Sequence, residues 1–137
     1  MTQDKSITGG CLCGGVRYEV SEPLFDAGNC HCSMCRKFSG SAFSTSARVN
    51  SDSFQWLSGE GLLSRYHSSP EAYRLFCRQC GSSLAVMEGE KVSFVFLGSV
   101  SQDPGVRPAE HIFVGSQAPW YDIADNLLQY KGWPAED

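Results

Sequence analysis

Long apolar runs are absent from this chain of 137 residues. No stretch approaches the roughly 20 apolar residues that cross a bilayer, so no membrane partner is expected. Residues 1–6 are polar and lack the apolar core of a secretory signal, which makes the cytoplasm the expected location. Basic runs are missing too. Eleven Lys and Arg face fifteen Asp and Glu, a formal net charge of −4. Ionising thiols onto divalent metal makes the chain more negative still. Such a surface does not attract phosphate backbones, so nucleic acid is not an expected partner. Internal repeats, linkers and low-complexity segments are also lacking, and nothing specifies an oligomeric state. Hydrophobic residues at 42% and charged residues at 19% fit one globular domain over residues 1–137 with its core at about 9–130.

Cysteine is the residue present in excess. There are seven, an odd number that disulfides alone cannot consume. They form three groups: Cys11 and Cys13; Cys30, Cys32 and Cys35; Cys77 and Cys80. Spacings of one or two residues are too short for ordinary cross-links. In a reducing compartment, clustered thiols point to metal binding or catalysis.

Helical periodicity is scarce, and the pattern is mainly β. Residues 16–20 alternate, with Val16, Tyr18 and Val20 on one face. Strand character recurs at 42–49, and at 54–57 and 62–66, which look like a pair joined by Ser58-Gly59-Glu60-Gly61. Residues 72–76 and 82–87 flank the last cysteine pair as a hairpin would. Residues 91–97 are apolar on both faces, with Val92, Phe94 and Phe96 on one and Val95 and Leu97 on the other, as in a central strand. A short strand at 111–114 completes the set. One or two short helices are expected, at 33–38 and near 123–128. Gly9, Gly10, Gly14 and Gly15 suggest a tight loop around the first cysteines.

A closed structural zinc site takes four ligands in a tetrahedron. Cys77-Arg78-Gln79-Cys80-Gly81 is a knuckle that aims two sulfurs at one ion, and Cys11 with Cys13 is its natural complement. The triplet Cys30, Cys32 and Cys35 fills only three corners, leaving the fourth for water or substrate, as in catalytic zinc sites. Two zinc ions per chain are therefore expected. An all-sulfur set makes a weak Lewis acid suited to a soft ligand such as a thiolate. The alternative is a closed triplet, with His31, His67 or His111 as fourth ligand. His31 lies between two ligands, so its ring is expected to project away.

Three motifs, with two later landmarks, resemble a known family. They are Gly10-Cys11-Leu12-Cys13-Gly14-Gly15-Val16-Arg17-Tyr18, Cys30-His31-Cys32-Ser33-Met34-Cys35-Arg36-Lys37 and Phe76-Cys77-Arg78-Gln79-Cys80-Gly81. His111-Ile112-Phe113 and Ala118-Pro119-Trp120 follow in the same order. Together they resemble the glutathione-dependent formaldehyde-activating enzyme family, whose domain is shared with centromere protein V. The resemblance implies an Mss4-like, mainly β zinc fold. It also implies a structural zinc on Cys11, Cys13, Cys77 and Cys80, and a catalytic zinc on Cys30, Cys32 and Cys35. The implied activity is that of a carbon–sulfur lyase joining formaldehyde to glutathione to give S-(hydroxymethyl)glutathione. Its expected partners are a small-molecule thiol and an aldehyde. A zinc-stabilised protein-binding module without catalysis is the alternative reading. Glutathione carboxylates want cations, for which Arg36, Lys37, Arg48 and Arg65 are candidates, with a solvated surface charge as the alternative for each. Trp120, Phe38 and Phe43 are candidate pocket walls, with core packing as the alternative, and Ser39-Gly40-Ser41 is either an approach to the metal or an ordinary loop.

Overall fold

A computed structural model describes residues 6–134; the ends of the expected 1–137 domain lie outside the described residues. The chain is mainly β. A small antiparallel sheet contains β1 (Ile7–Gly10), β2 (Arg17–Val20) and β5 (Phe54–Ser58), in that order. The larger sheet runs β11 (Leu128–Gln129), β10 (Glu110–Ile112), β3 (Phe25–Cys30), β4 (Ser44–Arg48), β9 (Lys91–Phe96), β8 (Ser83–Glu88), β7 (Ala72–Cys77) and β6 (Leu63–Ser69). Among the described residues only β10 pairs in parallel, with β3 and β11. The single α-helix among the described residues, α1, spans Ser33–Ser39.

One cluster of buried side chains joins the two sheets. It includes Val16, Tyr18 and Val20 from around β2, and Ala47, Leu75, Leu84 and Val95 from around the large sheet. Each fully buried Val or Leu contributes about 1.5–3 kcal/mol. Strand alternation then assigns the opposite face of the large sheet. Leu75 and Cys77 point into the core, so Arg74 on β7 points away from it. Val95 points in, so Phe94 and Phe96 point out to a cavity beside α1.

Several expectations needed correction. The pattern that put Val92 on one face with Phe94 fails because Ser93 is an extra residue in the β8–β9 ladder, so Val92 joins the core with Val95. The strands at 54–57 and 62–66 do not pair with each other. β5 pairs with β2, and β6 pairs with β7. Between them Gly59 adopts φ 83°, and a Cβ there would lie 2.2 Å from the Gly15 carbonyl oxygen, so only glycine lets the chain cross to the other sheet at this point. The glycines at 9 and 10 lie in β1 rather than in a loop. Tyr18 packs directly over Gly9, where a Cβ would sit 2.3 Å from the ring. No helix forms near 123–128; the Asp125 carboxylate accepts from the Leu127 amide, and the chain continues into β11. The hairpin around the last cysteine pair and the central place of β9 are as expected.

Candidate metal centres

The loop after β1 and the β7–β8 tip bring Cys11, Cys13, Cys77 and Cys80 together, with all four sulfurs within 4.8 Å of one another. Sγ of Cys13 lies 3.5 Å from that of Cys11 and 3.8 Å from that of Cys77. A disulfide needs about 2.05 Å, and all seven cysteines are free thiols. Four sulfurs on a tetrahedral ion with bonds of about 2.3 Å stand roughly 3.8 Å apart, so the donor set fits zinc. Amides supply the outer contacts. Val16 N–H donates to Cys11 Sγ at 3.2 Å and Cys13 N–H to Cys80 Sγ at 3.4 Å. The Ser82 hydroxyl, 3.2 Å from Cys80, is the main cause holding that thiol at about 5, helped by the amides of Cys13 and Ser82. These contacts favour the thiolate at Cys11 and Cys80. Cys13, despite the Gly15 amide, is instead pushed up to about 11 by the neighbouring sulfurs of Cys11, Cys80 and Cys77.

The second group forms where β3 runs into α1. Cys30 ends the strand, Cys32 caps the helix with its sulfur accepting from the Cys35 amide at 3.3 Å, and Cys35 sits one turn in, buried. Gly40 ends the helix in the left-handed conformation. The three sulfurs lie within 4.8 Å of one another. Contacts from Cys30 and Cys32 hold the Cys35 thiol far below the usual range, and Arg74 adds to this. The same contacts from Cys32 and Cys35 push Cys30 up. Sulfurs packed this closely cannot all ionise together unless a cation sits in their midst. The set fits a soft divalent metal with three protein ligands.

Among the described residues, no fourth His, Cys, Asp or Glu joins this group. The three histidines are engaged elsewhere. Nε2 of His31 lies 2.8 Å from Nδ1 of His111, and Nε2 of His111 lies 3.0 Å from an Asp125 oxygen. His31 therefore projects away from the sulfurs, as its place between two cysteines suggests. With the carboxylate accepting from Nε2, a neutral His111 accepts at Nδ1 from His31. His67 bonds the Pro70 carbonyl and stacks on Tyr73. Instead of a ligand, a cavity of about 280 Å³ meets the triplet, and all three cysteines line it.

The remaining candidates divide. Trp120 is 68% exposed, stacks edge-on to Tyr121 and lies outside the triplet cavity, because the loop after β10 turns it outward. The tryptophan at the triplet cavity is Trp133, packed edge-on against Phe113. Phe43 packs among His31, His111 and Tyr121. Phe38 and Ser39 line a second, wider groove that reaches Cys11 and Cys80. Arg48 lies over Phe94 in a neighbouring cavity, Arg65 lies over Tyr73, Arg36 bonds the His31 carbonyl, and Lys37 is exposed in the last turn of α1. None of the four lines the triplet cavity. The cation that does is Arg74, which sequence reasoning passed over. Its signal was a charge inside the apolar run 72–76, leading straight into a cysteine knuckle.

Comparison with known proteins agrees with this geometry. Residues 6–116 match the glutathione-dependent formaldehyde-activating enzyme family. The chain belongs to that family. A Halomonas elongata protein, provisionally named a glutathione-dependent formaldehyde-activating enzyme, is 27% identical over 95% of this chain and 90% of its own. An uncharacterised lyase of Schizosaccharomyces pombe is 31% identical, covering 89% of this chain and 88% of its own. A solved structure of a Rhodobacter sphaeroides protein superposes with a TM-score of 0.55 at 31% identity, covering 74% of this chain and 91% of that one. The mainly β architecture with its short helix is that expected of the family. No helix among the described residues is long and apolar enough to cross a membrane.

Proposed function

We propose that this family member is a zinc-dependent, carbon–sulfur lyase-like enzyme that joins a small aldehyde such as formaldehyde to a thiol such as glutathione. It works as a single domain over residues 1–137 in the reducing cytoplasm. Cys11, Cys13, Cys77 and Cys80 hold a structural zinc, and Cys30, Cys32 and Cys35 hold the catalytic one. The observation that carries the reading is the cavity: three converging sulfurs line it, and no fourth ligand among the described residues closes the group.

When bound, zinc on the triplet supplies a positive centre that favours a substrate thiolate or polarises a carbonyl. In the reaction a bond forms between the thiol sulfur and the carbonyl carbon, and the thiol proton ends on the carbonyl oxygen. The chain's own contribution is placement. The end of β3 and the cap of α1 set three sulfurs on one side of the cavity, and Phe94, Phe113 and Trp133 on its walls restrict water.

The test is metal analysis together with exchange kinetics. We expect two zinc ions per chain and faster formaldehyde–glutathione exchange than the spontaneous background, by magnetisation-transfer NMR. One tightly bound zinc, with a Cys32→Ser variant that exchanges as fast as wild type, would sink the enzyme reading and leave the protein-binding module.

A further inference from the structure

Arg74 is 8% exposed, an unusual place for a residue that stays charged. Its Nη2 donates to Cys35 Sγ at 3.5 Å, and its guanidinium carbon lies 5.3 Å from the centre of the Phe38 ring. Its Nε and Nη1 are buried with no hydrogen-bond partner. A guanidinium offers five donors in a rigid fork, and burying it with so few used is costly. Nε and Nη1 are sealed from solvent, so a ligand in the cavity pairs with them once the guanidinium turns toward it. Arg74 contributes to the wall of the triplet cavity. Among the described residues it is the only cation there, and Glu88, exposed at the end of β8, is the only carboxylate. Ile112, Phe113, Phe94 and Trp133 make much of the remaining wall apolar.

We propose that this cavity binds a carboxylate-bearing small molecule, with the carboxylate paired to Arg74 and a thiol or carbonyl group facing Cys30, Cys32 and Cys35. The inference rests on the functional reading above and narrows its substrate class. The short distance from Nη2 to Cys35 sets the spacing: the carboxylate and the reacting group are separated by only a few bonds. At about 280 Å³ the cavity lies just under the roughly 300–1,000 Å³ usual for ligand pockets, which favours a small ligand or one end of a larger one. A short mercapto acid and the glycyl end of glutathione share this chemistry.

The test is binding to the zinc-loaded protein, which needs no turnover. The ligand pairs are 3-mercaptopropionate against 3-mercaptopropionamide, and glutathione against its glycine ethyl ester. Calorimetry should show wild type preferring the acid of the first pair by about tenfold to a hundredfold, as a charge-assisted hydrogen bond provides. Arg74→Gln should erase the preference and Arg74→Lys restore part of it, at unchanged zinc content. Should Arg74→Gln fail to fold or lose zinc, the Nε–H resonance of Arg74 in wild type should shift with the acid and not with the amide. A matching preference for glutathione over its ester assigns the site to the tripeptide; its absence assigns the site to small acids. Equal binding of acid and amide, or a preference that survives in Arg74→Gln, overturns the proposal. Catalysed exchange without acid preference removes Arg74 and leaves the enzyme; acid preference without exchange does the reverse.

Discussion

Sγ of Cys13 and Sγ of Cys77 lie 3.8 Å apart although 64 residues separate them in the chain. This contact ties the loop that precedes β2 to the tip of the β7–β8 hairpin, and so ties the small sheet to the large one. Metal bound here closes a long loop, and its binding energy becomes folding energy.

Replacing Cys77 by serine should therefore unfold much of the chain. Cys77 is fully buried, and the change removes one of the four converging thiols while leaving an uncapped hydroxyl in the core. The expected loss exceeds about 4 kcal/mol, in the range that follows loss of a metal site. Thermal melts with zinc analysis check this, and a strong chelator should lower the wild-type midpoint to a similar degree.

The same change at Cys32 should behave differently. Cys32 is the helix cap, and serine is a preferred cap residue whose hydroxyl can accept the Cys35 amide in place of sulfur. Stability should change by less than about 1 kcal/mol, while zinc stoichiometry falls from two to one and exchange activity is lost. A melt as depressed as that of Cys77→Ser would show that the triplet also supports the fold.

His111→Ala should cost about 2–4 kcal/mol, since it strips the buried His31 of its partner and leaves a cavity. Asp125→Asn should cost distinctly less, because the Asp125 side chain is 45% exposed and water can replace it. Urea titrations of the two variants check the order; equal losses would mean that the carboxylate, not the ring, holds the network.

Acid should weaken the fold in two stages. Burial, followed by the neighbouring His111 and Arg36, lowers the pKa of His31, so the folded state prefers the neutral ring. That contribution is present above the ordinary value of 6.5 and is lost as pH falls below it. Asp125 is held below its ordinary 3.8, first by the hydrogen bond to His111, so its contribution persists to lower pH and disappears as pH falls through the depressed value. Melts from pH 7.5 to 5.5, with zinc content followed at each step, should show a larger loss for wild type than for His31→Gln. Parallel profiles would assign the acid sensitivity to thiolate protonation and metal release instead.

What the sequence determined by itself was local. The three cysteine groups, the short helix after Cys32 and the hairpin around Cys77 and Cys80 all follow from spacing within a few residues, because ligand bite, helix caps and turns are set over that range. The mainly β character followed from alternation for the same reason.

The tertiary structure decided what joins distant segments. It sent β5 and β6 to different sheets, because a glycine packed against Gly15 lets the chain cross between them. It formed β3 from the polar, glycine-containing run Phe25–Cys30 that has no strand signature, by pairing it on both edges. It exchanged Trp120 for Trp133 at the cavity and joined His31 to His111 across 80 residues. Spacing alone sorted the seven cysteines into three groups, and the fold brought the first and last together as a set that could hold a metal. That the second group opens onto a cavity holding a buried, half-satisfied arginine depends on sheet register and packing, which no local pattern encodes.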